Sequence, residues 1–125
     1  MTQLRLASAV GFVFALALLH APAMADPSDY SVRELLQPCT EGDNDSRGGA
    51  VLEMECEQYV SGFTDLYLRA GLDKADNVCL PPAGNRADEL RWAFMRWAHD
   101  NFDKRDMPAV EGLIATVKAR FKCAE

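Results

Sequence analysis

The stretch CEQYVSGFTDLYLRAGLDKADNVCLPP, residues 56–82, indicates the fold class of this chain. Its first half carries apolar and aromatic residues at helical spacing, and Gly71 occupies a position where glycine commonly ends a helix. Pro81 and Pro82 then favour a loop, because proline cannot continue a helix. The two cysteines of the stretch thus lie in one helix and in its exit loop, which suggests a helical protein held by cross-links.

The same helical period continues on both sides of this stretch. We predict a short first helix near residues 32–39, a long second helix at about 50–70, a third at about 86–102 and a fourth that ends near residue 121. No alternating strand pattern and no internal repeat is present. The expected fold is therefore all-α, a small four-to-five-helix bundle stapled by two disulfides.

Polar residues mark where two of these helices should begin. Asp29 or Ser31 can cap the first helix, because short polar side chains accept hydrogen bonds from unpaired backbone N–H groups. Asn85 with Asp88 three residues on resembles a capping box for the third helix.

The long helices each carry one apolar face, which should pack into a common core. On the second helix this face comprises Leu52, Cys56, Tyr59, Val60, Phe63 and Tyr67. On the third helix it comprises Leu90, Ala93, Phe94, Trp97 and Ala98. Asp106 and Pro108 are predicted to open the fourth helix. Its apolar stripe comprises Val110, Leu113, Ile114, Val117 and Phe121. Glycine destabilises a helix interior relative to alanine, so the presence of Gly62 inside the second helix suggests that another helix crosses it closely there.

Residues 1–25 have the three parts of a secretory signal peptide. Arg5 provides the basic start, an apolar run covers residues 6–19, and AMA at 23–25 provides the small-x-small cleavage pattern. The run is shorter than the roughly 20 residues that a membrane span needs, so a retained anchor is the less favoured alternative. We predict cleavage after Ala25 and export of a single mature domain, residues 26–125.

The charge balance argues against some classes of partner. The whole chain has 13 Lys and Arg against 19 Asp and Glu, and the predicted signal peptide contains only Arg5 among them. The mature chain therefore has 12 against 19, a net charge of −7. An acidic chain without a basic cluster argues against nucleic acid and against anionic membrane surfaces, whereas a basic protein partner is compatible with it.

The four cysteines of an exported chain should form two disulfides. Because short loops make neighbouring helices antiparallel, Cys39 and Cys56 should lie at one end of the bundle. Cys79 and Cys123 should lie at the opposite end for the same reason. The pairings Cys39–Cys56 and Cys79–Cys123 are therefore predicted, and they leave no thiol for chemistry.

Catalytic and metal-binding functions find little support in the residues. His99 is the single histidine after residue 25, and the serines there lie in no G-x-S-x-G context. The run DNDSRG, residues 43–48, resembles the start of an EF-hand loop, with Asp43, Asp45 and Gly48 in place. Arg47 and Met54, however, replace oxygen ligands that calcium needs. We therefore predict no catalytic residue, no metal site and no cofactor, and we interpret the run as a solvated turn.

A second apolar stripe on the third helix has no obvious place in the core. Trp92, Met95 and His99 gather opposite the core-facing residues, with Arg91 and Arg96 alongside. These residue types are common in protein–protein contacts. The alternative is that the first helix or a loop covers the stripe.

The connection after this helix is a second candidate contact element. Residues 99–108, HDNFDKRDMP, are highly charged and contain one aromatic residue, Phe102. A protruding loop beside an apolar stripe is suited to insertion into another protein's cleft, whereas an ordinary helix–helix turn is the alternative. The predicted partner-binding residues are Trp92, Met95, His99, Asp100, Phe102, Asp103, Lys104, Arg105 and Asp106.

Three motifs of the chain occur together in one group of proteins. They are Cys56 followed by QYVSGF, the run CLP at 79–81, and a last helix that closes with FKC at 121–123. This combination resembles the Rap/Tai family of type VI secretion immunity proteins, over about residues 30–123.

The resemblance implies a small periplasmic helical protein that neutralises a peptidoglycan-cleaving amidase effector. Such a protein binds the effector and occludes its cysteine–histidine active cleft without turnover, and it can be a homodimer. In this chain the implied plug is the loop at residues 100–107, with Trp92, Met95 and His99 around it. The alternative is a periplasmic helical interaction or adaptor module, or an acid-stress chaperone-like protein, without a cognate toxin.

Overall fold

The computed structural model describes residues 30–44 and 47–124. The predicted signal peptide, its cleavage after Ala25 and the possible cap Asp29 lie outside the described residues. Asp45 of the EF-hand-like run also lies outside them.

Five α-helices follow one another in the described part of the chain. They are α1 (Val32–Glu41), α2 (Gly49–Arg69), α3 (Leu72–Ala75), α4 (Arg86–Asp100) and α5 (Ala109–Arg120), with a 3-10 turn at Phe102–Lys104. Among these residues, β-type backbone pairing occurs as two isolated bridges, Ser31 with Pro108 and Val78 with Lys122. The predicted all-α bundle is confirmed, although α4 ends at Asp100 and the loop after α2 contains the short helix α3.

The beginning of α1 and the end of α2 follow the predicted signals. The Ser31 hydroxyl accepts a hydrogen bond from the Glu34 backbone N–H at 3.3 Å, and the Glu34 carboxylate accepts one from the Ser31 N–H at 2.7 Å. This reciprocal pair satisfies N–H groups that a helix start leaves unpaired. Gly71 follows α2 in the left-handed conformation, with φ of 70°, which glycine adopts without strain.

The predicted capping box of the third helix is wrong. Asn85 precedes α4, but its side chain makes no capping hydrogen bond. Its backbone, with φ of −118° and ψ of 0°, also differs from the extended conformation that most capping residues adopt. Asp88 instead lies near Arg91, with 4.0 Å between the carboxylate oxygen and the guanidinium nitrogen.

The predicted start of the last helix needs correction as well. Helix α5 begins at Ala109, directly after Pro108, and Asp106 lies outside it. The Asp106 carboxylate forms a salt bridge of 2.7 Å with Arg33 of α1. The Ala109 N–H donates to the Tyr30 carbonyl oxygen at 2.9 Å, so backbone pairing with the chain before α1 replaces a side-chain cap.

The core lies where α1, α2, α4 and α5 meet. The predicted face of α4 is entirely buried, and that of α2 is buried except for Leu52 and Tyr59, which are half-buried. The predicted stripe of α5 is only partly correct, since Val110 is 39 % exposed. The buried residues of α5 are Ala109, Gly112, Leu113, Thr116 and Val117.

Gly112, and not Gly62, marks the close helix crossing. Gly112 is buried, and a methyl group on it would overlap the side chain of Val32. The absence of a side chain therefore permits the close approach of α1 and α5. The crossing predicted at Gly62 is wrong, because Gly62 is exposed and a methyl group there would meet nothing within 4 Å.

Both predicted disulfides are confirmed. Cys39–Cys56 joins α1 to α2 and is buried in the core. Cys79–Cys123 joins the loop after α3 to the segment after α5, and Cys79 is exposed. With separations of 17 and 44 residues, chain entropy predicts stabilisation of about 3 and about 4 kcal/mol, respectively.

Candidate partner-binding site

Trp92, Met95 and His99 lie along the outer side of α4. Trp92 is 42 % exposed and His99 is exposed, whereas Met95 is half-buried and packs against the core. Helix α1 packs against α4, but Trp92 and His99 remain exposed. The structure therefore places the three side chains on one helix face, and Met95 also supports the core.

Phe102 extends this exposed surface beyond the end of α4. It opens the 3-10 turn, and its side chain is 66 % exposed. The Arg105 guanidinium lies over the ring, with 4.6 Å between its central carbon and the ring centroid, a favourable cation–π arrangement. Arg105 Nε donates to the Ala98 carbonyl oxygen at 3.0 Å. Arg105 thus connects the Phe102 ring to the last turn of α4.

Backbone pairing with α1 anchors the loop after α4. The Arg33 N–H donates to the Arg105 carbonyl oxygen and the Val32 N–H to the Met107 carbonyl oxygen, both at 2.9 Å. The salt bridge between Arg33 and Asp106 adds a side-chain contact at the same place. The loop therefore has a defined shape, and it is more than a simple connection between two helices.

Most charged groups of this loop are engaged within the chain. Asp100 pairs with Arg120 at 3.1 Å, and Lys104 Nζ donates to the Asn101 side-chain oxygen at 3.1 Å. Asp103 is exposed and has no ion pair among the described residues. Asp103 is therefore the charged group that the loop can offer to a partner without exchanging an ion pair, and Phe102, although it contacts Arg105, remains 66 % exposed.

Arg91, which the sequence placed beside the stripe, is buried instead, at 1 % exposure. Its Nε and Nη2 donate to the Cys39 carbonyl oxygen at 3.1 and 3.0 Å. Carboxylate oxygens of Asp43 and Glu53 lie 2.8 and 3.2 Å from its guanidinium nitrogens. A buried guanidinium needs such compensation, because desolvation of an unpaired charge is strongly unfavourable.

Helical spacing contained a signal for this burial. Arg91 lies three and seven residues before Phe94 and Ala98, so it shares a helix face with two core residues. It still touches the stripe, since its guanidinium carbon lies 5.5 Å from the Trp92 ring centroid. Arg96 is exposed and remains the basic residue of α4 beside the stripe.

The described residues contain no group of three or more His, Cys, Asp or Glu side chains that could hold a metal ion. Asp43, a ligand position in the EF-hand-like run, is paired with Arg91. Across residues 30–44 and 47–124, no helix has the length and apolar character needed to cross a membrane.

Comparison with protein-family models matches residues 31–123 to Rap1a immunity proteins. The match spans all five helices, both disulfides and the loop after α4, and it confirms the resemblance seen in the three motifs. Comparisons with curated proteins and with solved structures find no match. The chain therefore belongs to the Rap1a immunity protein family, which indicates an immunity function against a secreted effector protein.

Proposed function

We propose that this protein is a periplasmic immunity protein that binds a peptidoglycan amidase effector of a type VI secretion system and occludes its active cleft. The observation that best supports this is the loop after α4, which is anchored by backbone hydrogen bonds and presents Phe102 next to the stripe formed by Trp92, Met95 and His99. The chain that carries this loop belongs to an immunity family. A loop seated in the cleft would exclude the effector's substrate. Such inhibition requires binding alone, without turnover by the immunity protein.

The proposed compartment follows from the cysteines and from the predicted leader. Disulfides persist in oxidising compartments such as the bacterial periplasm, and this chain contains two of them. The leader at residues 1–25 would direct export, and cleavage after Ala25 would release residues 26–125. An effector that cleaves peptidoglycan would meet its inhibitor in this compartment.

Trp92 and Phe102 are the proposed anchors of the contact. Large aromatic side chains contribute much of the binding energy in many protein interfaces, and these two are exposed in the free protein. Trp92 and His99 are seven residues apart, which is about 10 Å along a helix. With Phe102 beyond His99, the anchors could span the rim and the interior of a cleft.

The fixed shape of the loop favours binding. A loop that is already held by hydrogen bonds loses less conformational entropy when it docks. The backbone bonds from Val32 and Arg33 provide this preorganisation. Asp103 and the acidic mature chain would attract a basic cleft rim and raise the association rate, an effect that salt weakens.

A pull-down tests the proposal. The mature chain, with disulfides intact, is immobilised and exposed to envelope and secreted proteins of its own organism, and captured proteins are identified by mass spectrometry. Trp92→Ala and Asp103→Lys are compared with Asp65→Lys, a matched charge reversal at an exposed position of α2. We expect the parent and Asp65→Lys to capture a small cysteine amidase. Trp92→Ala should weaken capture most, since loss of an interface anchor costs about 2 kcal/mol or more.

The outcomes separate the site from the function. An amidase that binds the Trp92 and Asp103 variants as tightly as the parent would contradict the proposed surface. A pull-down that captures no effector would contradict the proposed function and favour an adaptor or chaperone-like role.

We further propose that the mature protein is a homodimer. Sedimentation velocity at the concentration used for the pull-down measures this directly. A single monomeric species would exclude the dimer and leave the effector contact unaffected.

A further inference from the structure

An apolar groove lies between α2 and the start of α5. It has a volume of about 330 Å³ and is lined by Gln58, Tyr59, Gly62, Phe63, Leu66 and Val110. Leu66 lies in this lining with 67 % of its surface exposed, so the groove presents apolar surface to solvent. None of the lining residues belongs to the surface formed by Trp92, Met95, His99 and Phe102, so the groove is a separate feature.

Gly62 keeps this groove open. It lies inside the 21-residue helix α2, where glycine destabilises the helix relative to alanine. The usual structural reasons for glycine do not apply, because Gly62 has no positive φ and no neighbouring atom lies within 4 Å of a Cβ built on it. A larger side chain would project into the groove. Gly62 therefore leaves space in the groove that a side chain at this position would occupy.

The groove is acidic at the edge near the start of α1. The Tyr30 ring packs against Tyr59, with ring centroids 5.2 Å apart, and its hydroxyl donates to the Glu55 carboxylate at 3.5 Å. Desolvation, the charge of Glu55, the neighbouring Tyr59 and the charge of Glu34 together raise the pKa of Tyr30. Two carboxylates therefore impose a negative potential on this edge.

Two further charged residues neighbour the lining residues in sequence. Glu111 is exposed and directly follows Val110 on the α5 side. Arg69 stands one helical turn beyond Leu66, at the far end of α2. A carboxylate thus lies near Tyr59 and another follows Val110 in sequence, whereas Arg69 lies at the far end of α2.

We propose that this groove docks a bulky apolar side chain carried by a positively charged segment of a partner protein. The apolar lining would remove that side chain from water, which is the main favourable term in such contacts. Lysine or arginine residues on either side of it would pair with the acidic edge and fix its orientation. This contact is independent of the proposed amidase and uses a different surface.

Peptide titration tests the groove without any need for the natural partner. The probes are two capped hexapeptides, KKLWKK and EELWEE, which carry the same apolar pair with opposite flanking charge. Each is added to the mature chain, with disulfides intact, while backbone amide chemical shifts are recorded. We expect KKLWKK to shift the amides of Tyr59, Gly62, Leu66 and Val110 in a saturable manner, and EELWEE to leave them unchanged.

Two leucine substitutions on α2 provide the decisive comparison. Gly62→Leu fills the groove, and Ser61→Leu places the same side chain at the adjacent exposed position. Gly62→Leu should weaken KKLWKK binding by roughly tenfold or more, the factor that corresponds to burial of one leucine-sized side chain. Ser61→Leu should bind as the parent does. Thermal unfolding should give Gly62→Leu an unchanged or higher Tm, because glycine is the poorer helix former.

The proposal is overturned if both peptides bind equally, or if the parent and Gly62→Leu bind KKLWKK with equal affinity. A second copy of the chain in the groove would appear as self-association that Gly62→Leu abolishes. If residues 26–29 of the chain itself occupied the groove, KKLWKK would bind only after those residues were deleted. Either of these results would also overturn it.

Discussion

The guanidinium group of Arg91 on α4 donates two hydrogen bonds to the carbonyl oxygen of Cys39, in the last turn of α1. Carbonyl groups at a helix end have no intrahelical donor and carry partial negative charge, so a cation is favoured there. Asp43 and Glu53 complete the compensation. The buried side chain of Arg91 therefore connects α4 to α1, to α2 and to the loop between α1 and α2, beside the Cys39–Cys56 disulfide.

Removal of this group should destabilise the fold. Arg91→Ala leaves the Cys39 carbonyl without its donor and opens a cavity. We expect a loss of about 2 to 3 kcal/mol, below the range for fully buried pairs because Asp43 and Glu53 are partly exposed and can be rehydrated. Urea unfolding of the mature chain measures the change. Arg96→Ala, at an exposed position of α4, is the control and should stay within about 0.5 kcal/mol of the parent. Equal shifts for the two variants would contradict the prediction.

Alanine at two helix-interior glycines should have effects of opposite sign. Gly112→Ala forces a methyl group against Val32, and overpacking of this kind destabilises by about 1 to 3 kcal/mol. Gly62→Ala adds a methyl group in open space and should stabilise by about 0.5 to 1 kcal/mol through helix propensity. Thermal unfolding of the two variants side by side measures both signs. A stabilised Gly112→Ala would show that α1 and α5 can separate at little cost.

The two disulfides should differ in their rate of reduction. Cys79 is exposed, whereas both sulfurs of Cys39–Cys56 lie in the core. A reductant reaches an exposed sulfur without unfolding of the protein, so Cys79–Cys123 should be reduced first. Alkylation after mild treatment, followed by peptide mapping, identifies the order. Simultaneous labelling of all four cysteines under native conditions would contradict it.

Acid should weaken the fold partly through Asp76. Its carboxylate accepts hydrogen bonds from Lys118 Nζ at 2.9 Å and from the Tyr67 hydroxyl at 2.8 Å. These bonds, that from Lys118 first, lower the pKa of Asp76 in the folded protein. Because the pKa of Asp76 is lower in the folded than in the unfolded protein, its ionised carboxylate stabilises the fold at pH values above the pKa of the unfolded state, about 4. This stabilisation is lost as the pH falls through the pKa of the folded state.

Asp76→Asn tests this dependence. The variant should be less stable than the parent at neutral pH, and its unfolding free energy should fall less steeply as the pH is lowered from about 6 to about 2. Urea midpoints across that range measure both curves. Parallel curves for the parent and the variant would show that Asp76 does not contribute to the acid sensitivity.

The exposed candidate surface was only partly predictable from the sequence. Helical spacing placed Trp92 and His99 on one side of α4, because that relation depends on residues within two turns of each other. It did not show that Asp106 is paired with Arg33, which lies 73 residues away in the chain. That pairing changes the loop from a set of outward charges into an anchored element that presents Phe102 and Asp103.

The sequence by itself determined the four main helices, the Gly71 stop and the pairing of the four cysteines, and it offered Ser31 as one of two caps for the first helix. These features depend on neighbouring residues or on the antiparallel order of short-looped helices. The tertiary structure alone decided which residues at the edges of these apolar faces are buried and which glycine lies at a close helix crossing. Periodicity defines an apolar face only as an arc, whereas the burial of Arg91 and the crossing at Gly112 require atoms from distant segments to meet at one point.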